Sequence, residues 1–302
     1  MSVDELKTRI ASSGLSYIFD APMKQYTTLK IGGTADVLVQ PRSVDEVILA
    51  RETARETGMP VTFIGNGSNL LVRDGGIRGL VVRFGPLFAS VRTEGTVICA
   101  QSGISLAALA QTAASAGLTG LEFASGIPGT LGGGIRMNAG AYKGEMKDVV
   151  TEVTALCEDG SLRVFFGEEL AFSYRHSCFT DSTMLVLEAK LQLQYGEKQE
   201  ICDRMRELAL KRRSTQPLEY PSAGSAFKRP QNGYAAAMID GCGLKGYRVG
   251  DAQVSEKHAG FVINRGAATA REIETLLADI QRTVQEKYET MLEPEIVILG
   301  EA

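Results

Sequence analysis

The chain has 302 residues, 44% hydrophobic and 23% charged, with a formal net charge of −4. This is the composition of an ordinary globular protein. It is long enough to bury full cores without disulfides, and its charge gives no reason to expect a nucleic-acid partner. Five cysteines without CxxC spacing and two histidines, His176 and His258, read as reduced thiols and argue against a zinc site.

The N-terminal MSVDELKTRI is charged where a signal peptide is apolar, and no apolar run is long enough for a bilayer span. A cytoplasmic chain is expected. Val3, Leu6, Ile10 and Leu15 space a short amphipathic helix within residues 1–18. Gly32-Gly33 then lead into an alternating strand, Ala35-Val37-Val39, closed by Pro41. Ser43 and Glu46 form a capping box for a helix that stops at Gly58. Val61–Ile64 is a strand, followed by the turn-rich GNGSNLLV, residues 65–72. Strands are predicted over 77–84, 90–92 and 97–102, and Ser105 caps a helix ending at Gly117. Residues 149–156, 162–165 and 184–193 are predicted to share one antiparallel sheet, with FSYRHSCF (172–179) as a loop among them. A charged helix over 198–213 leads to a long loop, TQPLEYPSAGSAFKRP. A short helix (234–239), a strand (258–264), a helix opened by the capping box Thr269-Glu272 and a last strand, 295–299, complete an α+β chain.

The stretch SGIPGTLGGGIRMNAGAY, residues 125–142, holds six glycines. Each glycine inside an element costs about 0.5–1 kcal/mol relative to alanine, so their accumulation answers a local need. That need is backbone close to a partner, or amides exposed through unusual φ/ψ. Ile127, Leu131, Ile135 and Met137 argue against a flexible linker. GNGSNLLV can form an amide-lined nest for an anion, or a plain tight turn. It is not a Rossmann fingerprint, since Leu70 stands where the third glycine would be.

Three polar positions fall outside the amphipathic pattern. Arg175 in SYRHS suits either a surface ion pair or a substrate carboxylate. Ser225 in AGSAFKRP is either a turn serine or a hydroxyl in a pocket made cationic by Lys228 and Arg229. It lacks the glycine spacing of a hydrolase elbow. Glu295, after Pro294, is either solvated or turned into a cleft to polarise a group or relay a proton.

TTLKIGG, GNGSNLLV, SGIPGTLGG with MNAGAY, SYRHSCF, PSAGSAFKRP and EPEIVILG occur in order along nearly the whole chain. Together they resemble the UDP-N-acetylenolpyruvoylglucosamine reductase family, in its shorter type without an inserted tyrosine-bearing loop. The resemblance implies an FAD-binding region of the vanillyl-alcohol-oxidase (PCMH) type in two α+β subdomains, residues 1–90 and 91–200, with a C-terminal α+β substrate-binding domain, 201–302. Gly65, Asn66, Gly67, Ser68, Asn69 and Leu70, with Ser125, Gly126, Ile127, Pro128, Gly129, Thr130, Gly132 and Gly133, would embrace the flavin. Neither segment offers a histidine, so attachment would be non-covalent.

The implied chemistry is ping-pong: NADPH reduces FAD, which delivers hydride to the terminal vinyl carbon of an enolpyruvyl UDP-sugar. By resemblance, Arg175 and Glu295 polarise the carboxylate, with Glu295 protonated or tightly hydrogen-bonded, and Ser225 protonates the carbanionic carbon. Tyr174, Lys228 and Arg229 would contact substrate. A monomer acting on a small molecule, with neither nucleic acid nor membrane as partner, is expected. Arg136, after a triple glycine, and Val297, where many members carry a basic residue, depart from the family pattern. Two other readings remain: another FAD oxidoreductase of this fold, acting on an alcohol or 2-hydroxy acid, and a non-enzymatic nucleotide-binding module.

Overall fold

Ser43, Ser105 and Thr269 each cap a helix: their side-chain oxygens accept from the amides of Glu46, Ala108 and Glu272, and the helices run Val44–Glu56, Leu106–Ser115 and Ala270–Tyr288. The computed structural model describes residues 2–302. The box at Thr269 is reciprocal, Glu272 accepting from the Thr269 amide at 2.9 Å. Glu46 instead takes the amide of Arg42, one residue further back than expected. The chain divides into two compact units that alternate along it, changing over after Tyr17, Leu38, Asn66, Val81 and Arg212.

The first unit comprises residues through Tyr17, Val39–Asn66 and Val82–Arg212. Its centre is a five-stranded antiparallel sheet in the order Leu162–Phe166, Val150–Leu156, Leu185–Gln192, Val97–Gln101, Val91–Glu94. The three strands expected over 149–193 do share this sheet. Leu106 and Leu109 of the capped helix and Leu131 and Ile135 of a short helix, Leu131–Arg136, join the sheet's Ile98, Val153 and Leu191 in one core. Phe165 and Phe179 meet edge to face in it, centroids 5.3 Å apart. The N-terminal helix is shorter than expected, Val3–Ser12. Gly14 at φ +79° turns the chain, so Leu15 lies beyond the helix and Tyr17 opens a strand. Met1, included in the expected span, lies outside the described residues.

The second unit comprises Ile18–Leu38, Gly67–Val81 and Arg213–Ala302. The strand Thr34–Val39 does not alternate; everything after Thr34 is buried. Asp36 is tolerated there because its carboxylate pairs with Arg78 and accepts the Gly79 amide at 2.8 Å. Four strands, Ser222–Ser225, Phe261–Asn264, Ala252–Val254 and Arg248–Val249, form an antiparallel sheet. Ile273, Leu276, Leu277, Ile280 and Val284 make the buried stripe of the long helix, in one core with Ile239, Ala252 and Val262. Burying each large side chain is worth about 1.5–3 kcal/mol, so this stripe adds several kcal/mol of hydrophobic support to the unit's core.

Candidate active site

In the first unit the strand Val61–Ile64 delivers Gly65 against the long glycine stretch. A Cβ on Gly65 would lie 2.3 Å from Thr130 Oγ1, so no other residue lets the two segments approach this closely. Asn66 Nδ2 donates to the Pro128 carbonyl at 3.4 Å. Thr130 is the N-cap of the short helix, and Gly129 and Leu131 bond Leu106 and Ile104 on either side of it. Gly132 packs on Ser102 and Gly134 on Leu106, whereas Gly133 and Gly126 are exposed.

None of Gly126, Gly129, Gly132, Gly133, Gly134 and Gly140 has a positive φ. The left-handed φ of the stretch falls instead on Asn138 (+41°) and Tyr142 (+53°), outside the glycines. Gly132 and Gly134 serve close approach: a Cβ there would meet Ser102 at 2.8 Å and Leu106 at 3.2 Å, so the missing Cβ atoms let the short helix press on both. Ile127 packs on the core and Ser125 Oγ donates to the Glu122 carbonyl at 2.8 Å, so the segment is anchored rather than mobile. Arg212, missed in the sequence, lies against Gly126: a Cβ there would sit 3.0 Å from its side chain. Burial pushes its guanidinium below the usual arginine range. Its only sequence signal is its place in the cationic run KRRS.

Arg175 also belongs to the first unit, at the corner of a tight turn. Ser173 and His176 exchange backbone hydrogen bonds of 3.0 and 3.2 Å, and Arg175 takes φ +54°. Its guanidinium carbon stands 5.1 Å from the centre of the exposed Tyr174 ring.

Ser225 and Glu295 belong to the second unit. The expected loop around Ser225 contains a strand, Ser222–Ser225, paired with Phe261–Ile263 across a bulge at which Gly224 takes φ +79°. The pairing was invisible because its partner lies some forty residues on. Ser225 is exposed. Beside it, the Glu295 amide donates to the Ala226 carbonyl and the Lys228 amide to the Glu293 carbonyl, both at 2.9 Å. The two candidate residues therefore sit on adjoining backbone runs.

Asn69 and Leu70, which follow Gly67 and Ser68, meet the Glu295 run. Gly67 turns at φ +62°, its α-carbon against the Tyr26 carbonyl. Asn69 Nδ2 donates to the Glu295 carbonyl at 2.9 Å, and Leu70–Val72 pairs in parallel with Val297–Leu299. Lys228 is ion-paired with Glu293, and Arg229 stacks 4.1 Å from the Tyr234 ring centre.

Within the first unit, Gly65 and Asn66 close on the stretch from Pro128 to Gly134, a backbone-lined wall that fits a cofactor needing close backbone approach. The class so defined is an α+β flavoprotein: the FAD binding domain family model matches residues 35–165. A second family model, UDP-N-acetylenolpyruvoylglucosamine reductase, C-terminal domain, matches residues 216–299.

A UDP-N-acetylenolpyruvoylglucosamine reductase of Caldanaerobacter subterraneus subsp. tengcongensis is 49% identical over 99% of this chain and 98% of its own length. One from Agathobacter rectalis is 48% identical over 95% of each. The crystal structure of the Thermus caldophilus UDP-N-acetylenolpyruvylglucosamine reductase superimposes with a TM-score of 0.80 at 38% identity, covering 95% of this chain and 99% of that one. The chain belongs to the UDP-N-acetylenolpyruvoylglucosamine reductase family. Identity over the full length disfavours both the alcohol-oxidising and the non-enzymatic alternatives.

Proposed function

We propose that this chain has UDP-N-acetylmuramate dehydrogenase activity, reducing the enolpyruvyl group of UDP-N-acetylenolpyruvoylglucosamine in peptidoglycan precursor synthesis. In this reading residues 1–90 and 91–200 form the flavin-binding region and 201–302 the substrate domain. Residues 65–70 and 125–133 would hold FAD non-covalently, and the bound flavin would supply hydride transfer from NADPH to the terminal vinyl carbon. Negative charge then builds on the neighbouring carbon and spreads into the carboxylate.

Arg175 meets that carboxylate with its planar fork, and Glu295, carrying a proton, donates a hydrogen bond to it. The Ser225 hydroxyl gives its proton to the carbanionic carbon, a base strong enough to take it. Tyr174, Lys228 and Arg229 contact the rest of the substrate. The reading carries with it a cytoplasmic monomer without nucleic-acid or membrane partners.

The observation that carries the assignment of residues is the Glu295 amide bonded to the Ala226 carbonyl, next to Ser225, inside the segment matched by the family's C-terminal domain. Arg175 adds support: a non-glycine residue at left-handed φ costs about 1–3 kcal/mol, a strain concentrated at functional sites. The test is NADPH oxidation by the FAD-loaded protein with and without the enolpyruvyl UDP-sugar, with the product analysed by mass spectrometry. Sugar-dependent oxidation and a product richer by two hydrogens are expected. Oxidation indifferent to the sugar would reject the reading.

A further inference from the structure

Arg136, a departure from the family pattern, sends its side chain into the loop that follows Arg175. Nη1 donates to the carbonyl of Phe179 and, at 3.3 Å, to that of Ser182; Nη2 donates to the carbonyl of Thr180. Bonds also run the other way. The hydroxyls of Ser177 and Thr180 donate to the Arg136 carbonyl at 2.9 and 2.6 Å, and the Ser177 amide donates to Thr180 Oγ1 at 2.9 Å.

Two residues along, Asn138 is fully buried at φ +41°. Its Nδ2 donates to the Ser173 carbonyl at 2.9 Å, while its Oδ1 accepts the Lys147 amide at 3.0 Å. Both limbs of the turn that carries Arg175 are thus tied to one stretch, 136–138, directly after the glycine segment. Three carbonyls shared between Nη1 and Nη2 of one guanidinium need a fork with several donors, which a lysine ammonium does not reproduce. A left-handed non-glycine residue persists only where its surroundings hold it there.

We propose that Arg136 is a positioning residue, which presets the left-handed turn that aims Arg175 and thereby serves the substrate-reducing half of the reaction. The proposal rests on the role given above to Arg175, and Asn138 holds the other limb of the same turn.

The test compares Arg136→Lys and Arg175→Lys as FAD-loaded enzymes in anaerobic stopped flow, reading flavin reduction by NADPH and reoxidation by the enolpyruvyl UDP-sugar separately. Misplacement by about an ångström costs up to about 100-fold. For Arg136→Lys, reoxidation at saturating sugar is expected to slow roughly 10- to 100-fold, with flavin reduction at the parent rate and the half-saturating sugar concentration little changed. Adding Arg136→Lys to Arg175→Lys should then slow reoxidation little further. Ethylguanidine should restore reoxidation to Arg136→Ala.

Parent-rate reoxidation in Arg136→Lys beside a slow Arg175→Lys would overturn the positioning role alone. Parent-rate reoxidation in Arg175→Lys would overturn the reading of Arg175, and the proposal with it. An equal loss in both half-reactions would make Arg136 a support of the fold only. Should neither Arg136 variant fold, Thr180→Val, which removes the hydroxyl that donates to the Arg136 carbonyl and accepts the Ser177 amide, carries the same comparison with a smaller expected slowing.

Discussion

Alanine at Gly65 would put a methyl group where Thr130 already stands. The new Cβ would lie 2.3 Å from Thr130 Oγ1, 3.2 Å from Cγ2 and 3.3 Å from Cβ. Thr130 is 2% exposed, so it has little room to withdraw. Swinging Oγ1 away would give up the cap on the helix Leu131–Arg136, where Oγ1 accepts the Gly133 amide at 3.5 Å. Overpacking of this kind costs about 1–3 kcal/mol and a lost cap about 1 kcal/mol. Gly65→Ala should therefore destabilise by about 2–4 kcal/mol, a fall in melting temperature of about 5–15 °C.

Thermal unfolding by circular dichroism measures this directly, and flavin fluorescence during FAD titration should show weaker binding in the same variant. Thr130→Ala supplies the control, because it removes both Oγ1 and Cγ2. In that background Gly65→Ala should cost less than about 1 kcal/mol, as expected for two groups in contact. The same cost in both backgrounds, or an unchanged melting temperature, would refute the collision as the reason for glycine.

Ser225→Ala should leave flavin reduction by NADPH intact and slow reduction of the enolpyruvyl sugar by about 10²- to 10⁴-fold, the usual worth of a general acid; equal loss in both half-reactions would remove Ser225 as proton donor. Arg175→Lys keeps the charge but not the fork, and should lower turnover of the sugar roughly 10- to 100-fold; near-normal turnover would take Arg175 out of the site. His258 is partly buried, with its ring 5.0 Å from that of Phe261 and its Nδ1 accepting the Gly260 amide at 3.1 Å. Burial, aided by Lys245, holds its pKa below the ordinary 6.5. The unfolded chain therefore binds the proton more readily, so this contribution to stability is complete above the unfolded pKa and declines as pH falls below it. Denaturant unfolding of the parent and His258→Asn at pH 5 and 7.5 should show a smaller acid loss in the variant, and identical losses would contradict this.

Local chemistry was legible in the sequence because its signals are local. Ser43, Ser105 and Thr269 announce helices through caps three residues long, and all three helices form. The glycine stretch announces contact, but composition cannot separate an unusual φ from a missing Cβ. That distinction depends on Ser102, Leu106 and Thr130, two of them far away in the chain.

Distance in sequence also hid the strand at Ser225, whose partner is Phe261, and the pairing of Leu70 with Val297. Buried Asp36 looked like the polar face of an alternating strand because Arg78, its counter-ion, lies 42 residues on. Arg136 was an anomaly for the same reason: the carbonyls that hold it come more than forty residues later.

The most direct test of the account is reoxidation of the NADPH-reduced holoenzyme by the enolpyruvyl UDP-sugar under anaerobic stopped flow, followed at the flavin absorbance band. Fast return of the oxidised flavin spectrum on adding the sugar, with none on adding UDP-N-acetylglucosamine, is predicted. Reduction by NADPH without reoxidation by the sugar would contradict it.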